Sequence, residues 1–318
     1  MSLRISTGPH VLTKESTQTL MLDVLIALAP VTVAGVYLFG MKAAWVLCVS
    51  VISAILSEFL WQKLMKKKST LSDLSAVVTG LILGLNLPSG APLWMAAVGS
   101  AVSVILVKQL FGGIGHNFMN PAMFGRAFLL ASWPARMTSF LLPERLLGSS
   151  QAAFGIDAAS GATPLVPQKL GITPDIALSD LFLGNIPGSI GEVCKIAIII
   201  GFVYLLVVKV ISWHIPVFFI GTVALFTWLI GGDPLVAVLS GGVMFGAVFM
   251  ATDYATNPML KLGQSIFAVG CGAMVVIIRS WGNYPEGVTY AILFMNCVTP
   301  LIDRFTSRRV YGTVKKHG

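Results

Sequence analysis

Ten long apolar stretches with few charges run through this chain, and they leave few folds open to it. In order they are Leu20–Gly40, Ala43–Leu60, Leu74–Pro88, Leu93–Leu110, Asn117–Ser132, Val193–Val210, Ile215–Gly231, Leu235–Thr252, Gly263–Ile278 and Val288–Ile302. Long uninterrupted blocks of this kind are what a bilayer core demands of a spanning helix. The rest of the composition agrees. Of 318 residues, 56% are hydrophobic and only 11% are charged. A soluble domain carries about 25% charged residues. The expected fold is therefore all-α and integral to the membrane, with about ten transmembrane helices, enough to bury a sizeable core.

The blocks fall into two sets of five, separated by a hydrophilic segment, 133–192. This divides the chain into a leading segment (1–19), a first five-span repeat (20–132), the loop 133–192, a second repeat (193–303) and a tail (304–318). Basic residues orient the spans, because cytoplasmic loops hold the excess of Lys and Arg. With both termini inside, fourteen of the 21 basic residues lie in inside segments, among them Lys63, Lys66, Lys67, Lys68, Arg308 and Arg309. Six lie outside, and Arg126 falls within a span. Loop 133–192 then faces outward from a prokaryotic plasma membrane. The net charge of +8 is accounted for by this bias. No basic stripe interleaved with exposed aromatics points to nucleic acid. The residues before the first block are polar and mixed, and that block is long enough to span, so no cleavable signal peptide is expected.

The halves resemble one another. Asp73-Leu-Ser-Ala-Val-Val-Thr-Gly opens the third block and Asp233-Pro-Leu-Val-Ala-Val-Leu-Ser-Gly-Gly the eighth. Phe118-Met119-Asn120 in block five matches Phe294-Met295-Asn296 in block ten. Five is odd, so two such repeats must lie in opposite orientations. Inverted repeats of this kind build many transporters, with sites where interrupted helices meet. Blocks three and eight carry the small residues of broken helices, in Gly84-Leu-Asn86-Leu-Pro88 and Ser240-Gly241-Gly242. The same residues would also serve close helix packing.

Ionisable residues inside spans are candidates for function. Asp23, Glu58 and Asp253 lie near block ends, where an interfacial position competes with a place on an ion path. Lys108 and Arg279 flank comparable blocks and read as interfacial. Arg126 lies among apolar and small residues and needs a partner: a carboxylate, or a flavin phosphate or ring oxygen. His116, in a glycine-rich turn without a second ligand nearby, reads as structural, and no metal site is expected. Cys48, Cys194, Cys271 and Cys297 form no CxxC pair and read as small buried side chains.

One stretch of the loop carries more specific information. Asp157-Ala-Ala-Ser160-Gly161-Ala162-Thr163-Pro164 is locally a turn. Ser, Gly and Pro break regular structure, and a Thr before Pro is held extended with its hydroxyl free. An enzyme could esterify that hydroxyl with a phosphate group; the local residues do not name the donor. The pattern Asp-x-x-Ser/Thr-Gly-Ala-Thr resembles the recognition motif for covalent flavinylation. Gly112-Gly113-Ile-Gly115-His116-Asn117-Phe-Met-Asn120-Pro121-Ala122 and Gly8-Pro9-His10 resemble the same family. That family contains the D subunit of the Rnf electron-transport complex and the B subunit of the sodium-pumping NADH:quinone reductase. The short leader favours the Rnf member.

The resemblance implies a membrane redox subunit of a ferredoxin:NAD oxidoreductase that moves Na⁺ or H⁺. It implies FMN joined by a phosphoester to Thr163, with Asp157, Ser160, Gly161 and Ala162 as the recognition sequence of a flavin transferase. Arg126 and Asn120 are further candidates for cofactor binding, and no residue of the chain is itself expected to be catalytic. A second, non-covalent riboflavin follows by analogy with the reductase. The implied partners are a second flavin-bearing subunit and membrane iron–sulfur subunits. Trp133, Phe140 and Phe154 are candidates to pack the flavin ring. A covalent tether would keep the ring near its pocket at high effective concentration. The competing reading is a small-solute channel or secondary transporter built on the same repeats.

Overall fold

The computed structural model describes residues 16–143, 178–282 and 286–307, together with the backbone of Ser160 and Gly161. It is predominantly helical. The first helix, α1 (Thr17–Leu64), starts on Ser16, whose hydroxyl accepts from the Thr19 amide at 3.2 Å. Forty-eight residues of straight helix would measure about 72 Å. Yet both ends come to Lys108: Thr17 lines a cavity with it, and Glu58 binds its ammonium. The chain therefore folds back, and the break is Gly40, at φ 69° and ψ −160°. Positive φ costs glycine nothing. The first two apolar blocks are thus the outbound and return arms of a helical hairpin.

After a 3₁₀ turn, Leu71–Asp73, the Asp73 carboxylate accepts from the Ser75 amide at 3.0 Å and starts α2 (Ser75–Leu85). Its 11 residues rise only about 16 Å, roughly half of a hydrocarbon core. Residues 186–192 tuck beneath its far end, where the Gly191 amide donates to the Leu85 carbonyl at 2.7 Å and the Ile190 amide to Leu87 at 3.1 Å. Helix α3 (Leu93–Val102) continues as a π-helical stretch, Ser103–Gln109. Helix α4 (Pro121–Ser132) is capped by Asn120, with proline at its first position. There follow α5 (Pro134–Met137) and a two-residue strand, β1 (Phe140–Leu141). This pairs antiparallel with β2 (Ser160–Gly161), Phe140 opposite Gly161 and Leu141 opposite Ser160. Short α6 (Leu178–Leu183) leads to the second half.

The second half runs through α7 (Lys195–Val207), α8 (His214–Leu229), α9 (Pro234–Leu239), α10 (Val243–Phe245), α11 (Lys261–Trp281) and α12 (Val288–Thr306). Asp233 caps α9 as Asp73 caps α2, accepting from the Leu235 amide at 2.9 Å. The eighth block is a broken helix. Helix α9 stops at Ser240, Gly241 takes φ 64°, and after α10 the chain passes into a π-helical turn, Gly246–Met250. The third block is a short helix that ends at Leu85, within the run Gly84-Leu-Asn86-Leu-Pro88. Its glycines also serve packing, Gly80 lying on the Ser50 carbonyl and Gly84 on Leu47.

Large apolar side chains cover the outside. Val33, Trp45, Val207 and Trp228 are 59–73% exposed, whereas Glu58, Lys108, Arg126 and Lys195 are buried. Water would drive the opposite distribution, so the surface is built for lipid. The cysteines differ from expectation: Cys271 alone of the four is buried, while Cys48 and Cys297 are exposed. On a lipid-facing surface a small apolar thiol needs no burial.

Candidate functional site

Among the described residues, polar chemistry collects in three places inside the bundle. The first is a cavity of about 580 Å³ between the two halves, at the end where Thr17 enters. Its wall is mostly apolar, Phe249 included, with Thr79, Lys108, Asn117, Asn120 and Asp253 among its polar members. Ligand pockets are commonly built this way, apolar with a few placed polar groups. Asn120 is positioned by its work at the helix start. Its carbonyl oxygen accepts from the Met123 amide at 3.2 Å, and its amide donates to the Met250 carbonyl at 3.2 Å. It therefore ties α4 to the π-turn after α10. Asp253 caps the turn that follows, accepting from the Ala255 amide at 3.4 Å. Asp23 accepts from the Tyr204 hydroxyl at 3.1 Å, joining α1 to α7.

The second place is a buried ion pair beside that cavity. Lys108 donates to both oxygens of Glu58, at 2.9 and 2.8 Å, and to the Ser75 hydroxyl at 2.5 Å. The Gln109 amide reaches the same carboxylate at 2.9 Å. Successive residues of an α-helix point about 100° apart, and the π-turn widens the helix locally so that Lys108 and Gln109 converge on one group. Gln62 and Thr70 also donate to Glu58. Neither Glu58 nor Lys108 is interfacial, as their place near block ends implied: they are 0% and 2% exposed. Each removes the desolvation problem of the other, which block boundaries alone do not reveal.

The third place lies at the far end of α2, away from Lys108. Arg126 on α4 donates to Asn86 at 2.9 Å and forms an ion pair with Glu286. Glu192 accepts from the Ser189 amide at 2.9 Å, and Lys195 donates to the Glu192 backbone carbonyl. Arg279, expected at the membrane interface, turns inward and binds the carbonyls of Ala237 at 2.6 Å and Ser240 at 3.3 Å, closing the end of α9 at the helix break. Gly242 sits against this cluster: a Cβ there would lie 3.1 Å from Glu192 Oε2 and 3.8 Å from Arg126. Arg126 has its carboxylate partner in a residue that sequence reading passed over. Glu192, Lys195 and Glu286 sit at the mouths of apolar blocks, where charge is ordinary. In a chain with only 13 acidic residues, a Glu wedged between Pro285 and Gly287 ahead of an apolar block was the available signal.

Beside this cluster, Arg126, Glu286, Met137, Thr138 and Phe140 border a small cleft. Phe140 belongs to β1, so Ser160 and Gly161 are held close to it by strand pairing. Asp157, Ala162, Thr163 and Phe154 lie outside the described residues. Trp133 packs edge-on against Trp94, with ring centroids 5.0 Å apart. His116 is exposed, and its ring lies by the Ile114 carbonyl at 3.4 Å.

Buried charges paired inside an apolar exterior define a helical membrane protein with polar sites between its helices. The chain belongs to the NQR2, RnfD, RnfE family, whose model matches residues 4–312. It is 46% identical over 318 residues to the D subunit of the Na⁺-translocating ferredoxin:NAD⁺ oxidoreductase complex of Acetobacterium woodii, covering 99% of this chain and 97% of that one. It is 43% identical to the D subunit of the proton-translocating ferredoxin:NAD⁺ oxidoreductase complex of Clostridium ljungdahlii, over 97% and 96% of the two chains. To the D subunit of an ion-translocating oxidoreductase complex of Stutzerimonas stutzeri it is 38% identical, over 94% and 93%.

Proposed function

We propose that this chain is the D-type subunit of a membrane complex that couples electron transfer between ferredoxin and NAD⁺ to Na⁺ or H⁺ movement, and that it relays electrons through FMN esterified to Thr163. It is not an enzyme alone: the complex's other subunits, including a second flavin-bearing subunit and iron–sulfur subunits, supply and remove the electrons. The observation that carries the flavin reading is the intact run Asp157-Ala-Ala-Ser160-Gly161-Ala162-Thr163 in a chain of this family. Pairing of Ser160 and Gly161 with β1 supports it, because the segment just before Thr163 is thereby tied to the bundle beside Arg126. In this reading the ten apolar blocks form two inverted five-span repeats in the plasma membrane, both termini are cytoplasmic, and loop 133–192 lies outside.

A flavin supplies one- and two-electron steps that side chains cannot. The chain's part is to hold it. Thr163 would carry the FMN phosphate. The 580 Å³ cavity between the halves is the seat we assign to a non-covalent riboflavin. Its apolar wall, which includes Phe249, suits an isoalloxazine, and Thr79 and Asn117 suit its polar edge.

Denatured protein made with a flavin transferase and run on a gel tests the covalent site. Wild type is expected to give a fluorescent flavin band, and Thr163→Ala none. A dark wild-type band, with the transferase active on another target, would favour the channel or transporter reading, for which the broken eighth block and the central cavity also speak. The riboflavin seat has its own test. Thr79→Phe places a ring in the cavity, so flavin released on denaturation should fall to near zero while the covalent band is kept. Equal release from both proteins would remove riboflavin from this cavity.

A further inference from the structure

Two buried carboxyl groups at the Arg126 end each have one oxygen held by a donor and one left over. Glu286 gives Oε2 to Arg126, and its Oε1 has no partner among the described residues. Glu192 gives Oε1 to the Ser189 amide, and its Oε2 has none. Glu192 is 3% exposed and Glu286 9%, so bulk water does not fill the gap. Arg126 holds Glu286, and Glu192 Oε2 and Arg126 both border Gly242, so the two carboxyls belong to one cluster in which one, once protonated, can donate to the other. Ionised carboxylates have only acceptors. Two of them side by side in a buried site leave two oxygens without a donor.

We propose that Glu192 and Glu286 form a proton-binding site, sharing one exchangeable proton between Glu286 Oε1 and Glu192 Oε2. The proton comes from water and leaves to water, and no other bond is made or broken. The surroundings favour a proton over a metal ion. Arg126 on α4, Lys195 at the start of α7 and Arg279 on α11 already bring three positive charges to two carboxylates. A proton adds charge as any cation does, but it turns the opposed acceptors into a hydrogen bond. Like charges sharing a site push one ionisation up. Burial foremost, and then the Glu192 charge, raise the Glu286 carboxyl from its ordinary 4.5 to about 7, while Arg126 and Arg279 pull against them. The site adjoins the cleft beside β1 and the break after α9, so a proton held there bears on both. It rests on none of the flavin assignments.

The sign of the pH dependence follows. A carboxyl whose value is raised on folding stabilises the fold below its unfolded value, and that contribution is lost as pH rises through the folded one. Wild type should therefore lose thermal stability relative to Glu286→Gln between pH 4.5 and about 7, and run parallel to it above.

Infrared difference spectroscopy of the full-length protein in lipid, titrated in pH, reads the proton directly. A protonated carboxylic C=O band is expected that disappears with a midpoint near pH 7, shifts in heavy water, and is absent from both Glu192→Gln and Glu286→Gln. Should either variant fail to fold, Glu286→Asp keeps the acid and should move the band without removing it. A wild-type spectrum with no carboxylic band titrating near neutrality would overturn the proposal, as would a band unmoved by all these substitutions. Flavin fluorescence of the same samples reports the covalent site separately.

Discussion

Lys108→Met should lower the unfolding free energy by about 3–5 kcal/mol, the cost of leaving a buried carboxylate without its counter-ion. Glu58 is fully buried and Lys108 nearly so, and they bond at 2.8 and 2.9 Å. Methionine fills the stem's volume, so the loss is electrostatic and not a cavity. Glu58→Leu should also destabilise, for a second reason. It strands Lys108 and, with it, the buried Gln109 amide that donates to Glu58 Oε1, whereas Gln62 keeps Thr70 as a partner and Thr70 is exposed to solvent. The double variant should recover much of the Lys108→Met loss yet stay below wild type, since each stranded buried donor costs about 1–3 kcal/mol. The measurement is reversible unfolding of the four proteins in mixed detergent. Losses that simply add, within about 0.5 kcal/mol, would mean the pair does not act as one unit.

The second large effect is expected at the crossing of α3 and α4. A Cβ on Gly125 would run into Ser103 Oγ and fall 2.8 Å from the Gly99 carbonyl. The hydroxyl can rotate; the carbonyl is part of a packed helix and cannot move without separating the two. Gly125→Ala should cost about 3 kcal/mol, at the upper end for overpacking, and displace Arg126, the next residue, from Asn86 and Glu286. Adding Ser103→Ala removes the closest contact but leaves the carbonyl, so it should restore only part. Gly221 is the control. It lies in α8 with nothing within 4 Å of its added Cβ, so Gly221→Ala should gain up to about 1 kcal/mol of helix propensity. Thermal melts that rank these variants otherwise would mean that α3 and α4 approach less closely than Gly125 and Gly99 imply.

Much of this architecture was legible from residue order alone. Apolar blocks bounded by Gly, Pro and charge mark helices whatever they pack against, because a bilayer leaves the backbone no other partner. Hence α7, α8, α11 and α12 fall close to their blocks. Asp73 and Asp233 were legible as the openings of blocks three and eight, and in the fold they and Asn120 each precede the helix whose amides they take. Arg126 declared its need for a partner by standing alone among apolar and small neighbours.

Which charges meet was not legible. Lys108 and Glu58 are 50 positions apart and Arg126 and Glu286 160, and all but Arg126 sit near a block end, where an interfacial place is equally good locally. The cavity between the halves, and the two carboxyl oxygens left without donors, exist only once α2, α4, α9 and the segment 186–192 are assembled. By itself the sequence determined a predominantly helical membrane protein and a flavinylation-like run, because those depend on residues close together along the chain. Tertiary structure decided which buried charges neutralise one another, since that depends on distances that long, variable connections leave open.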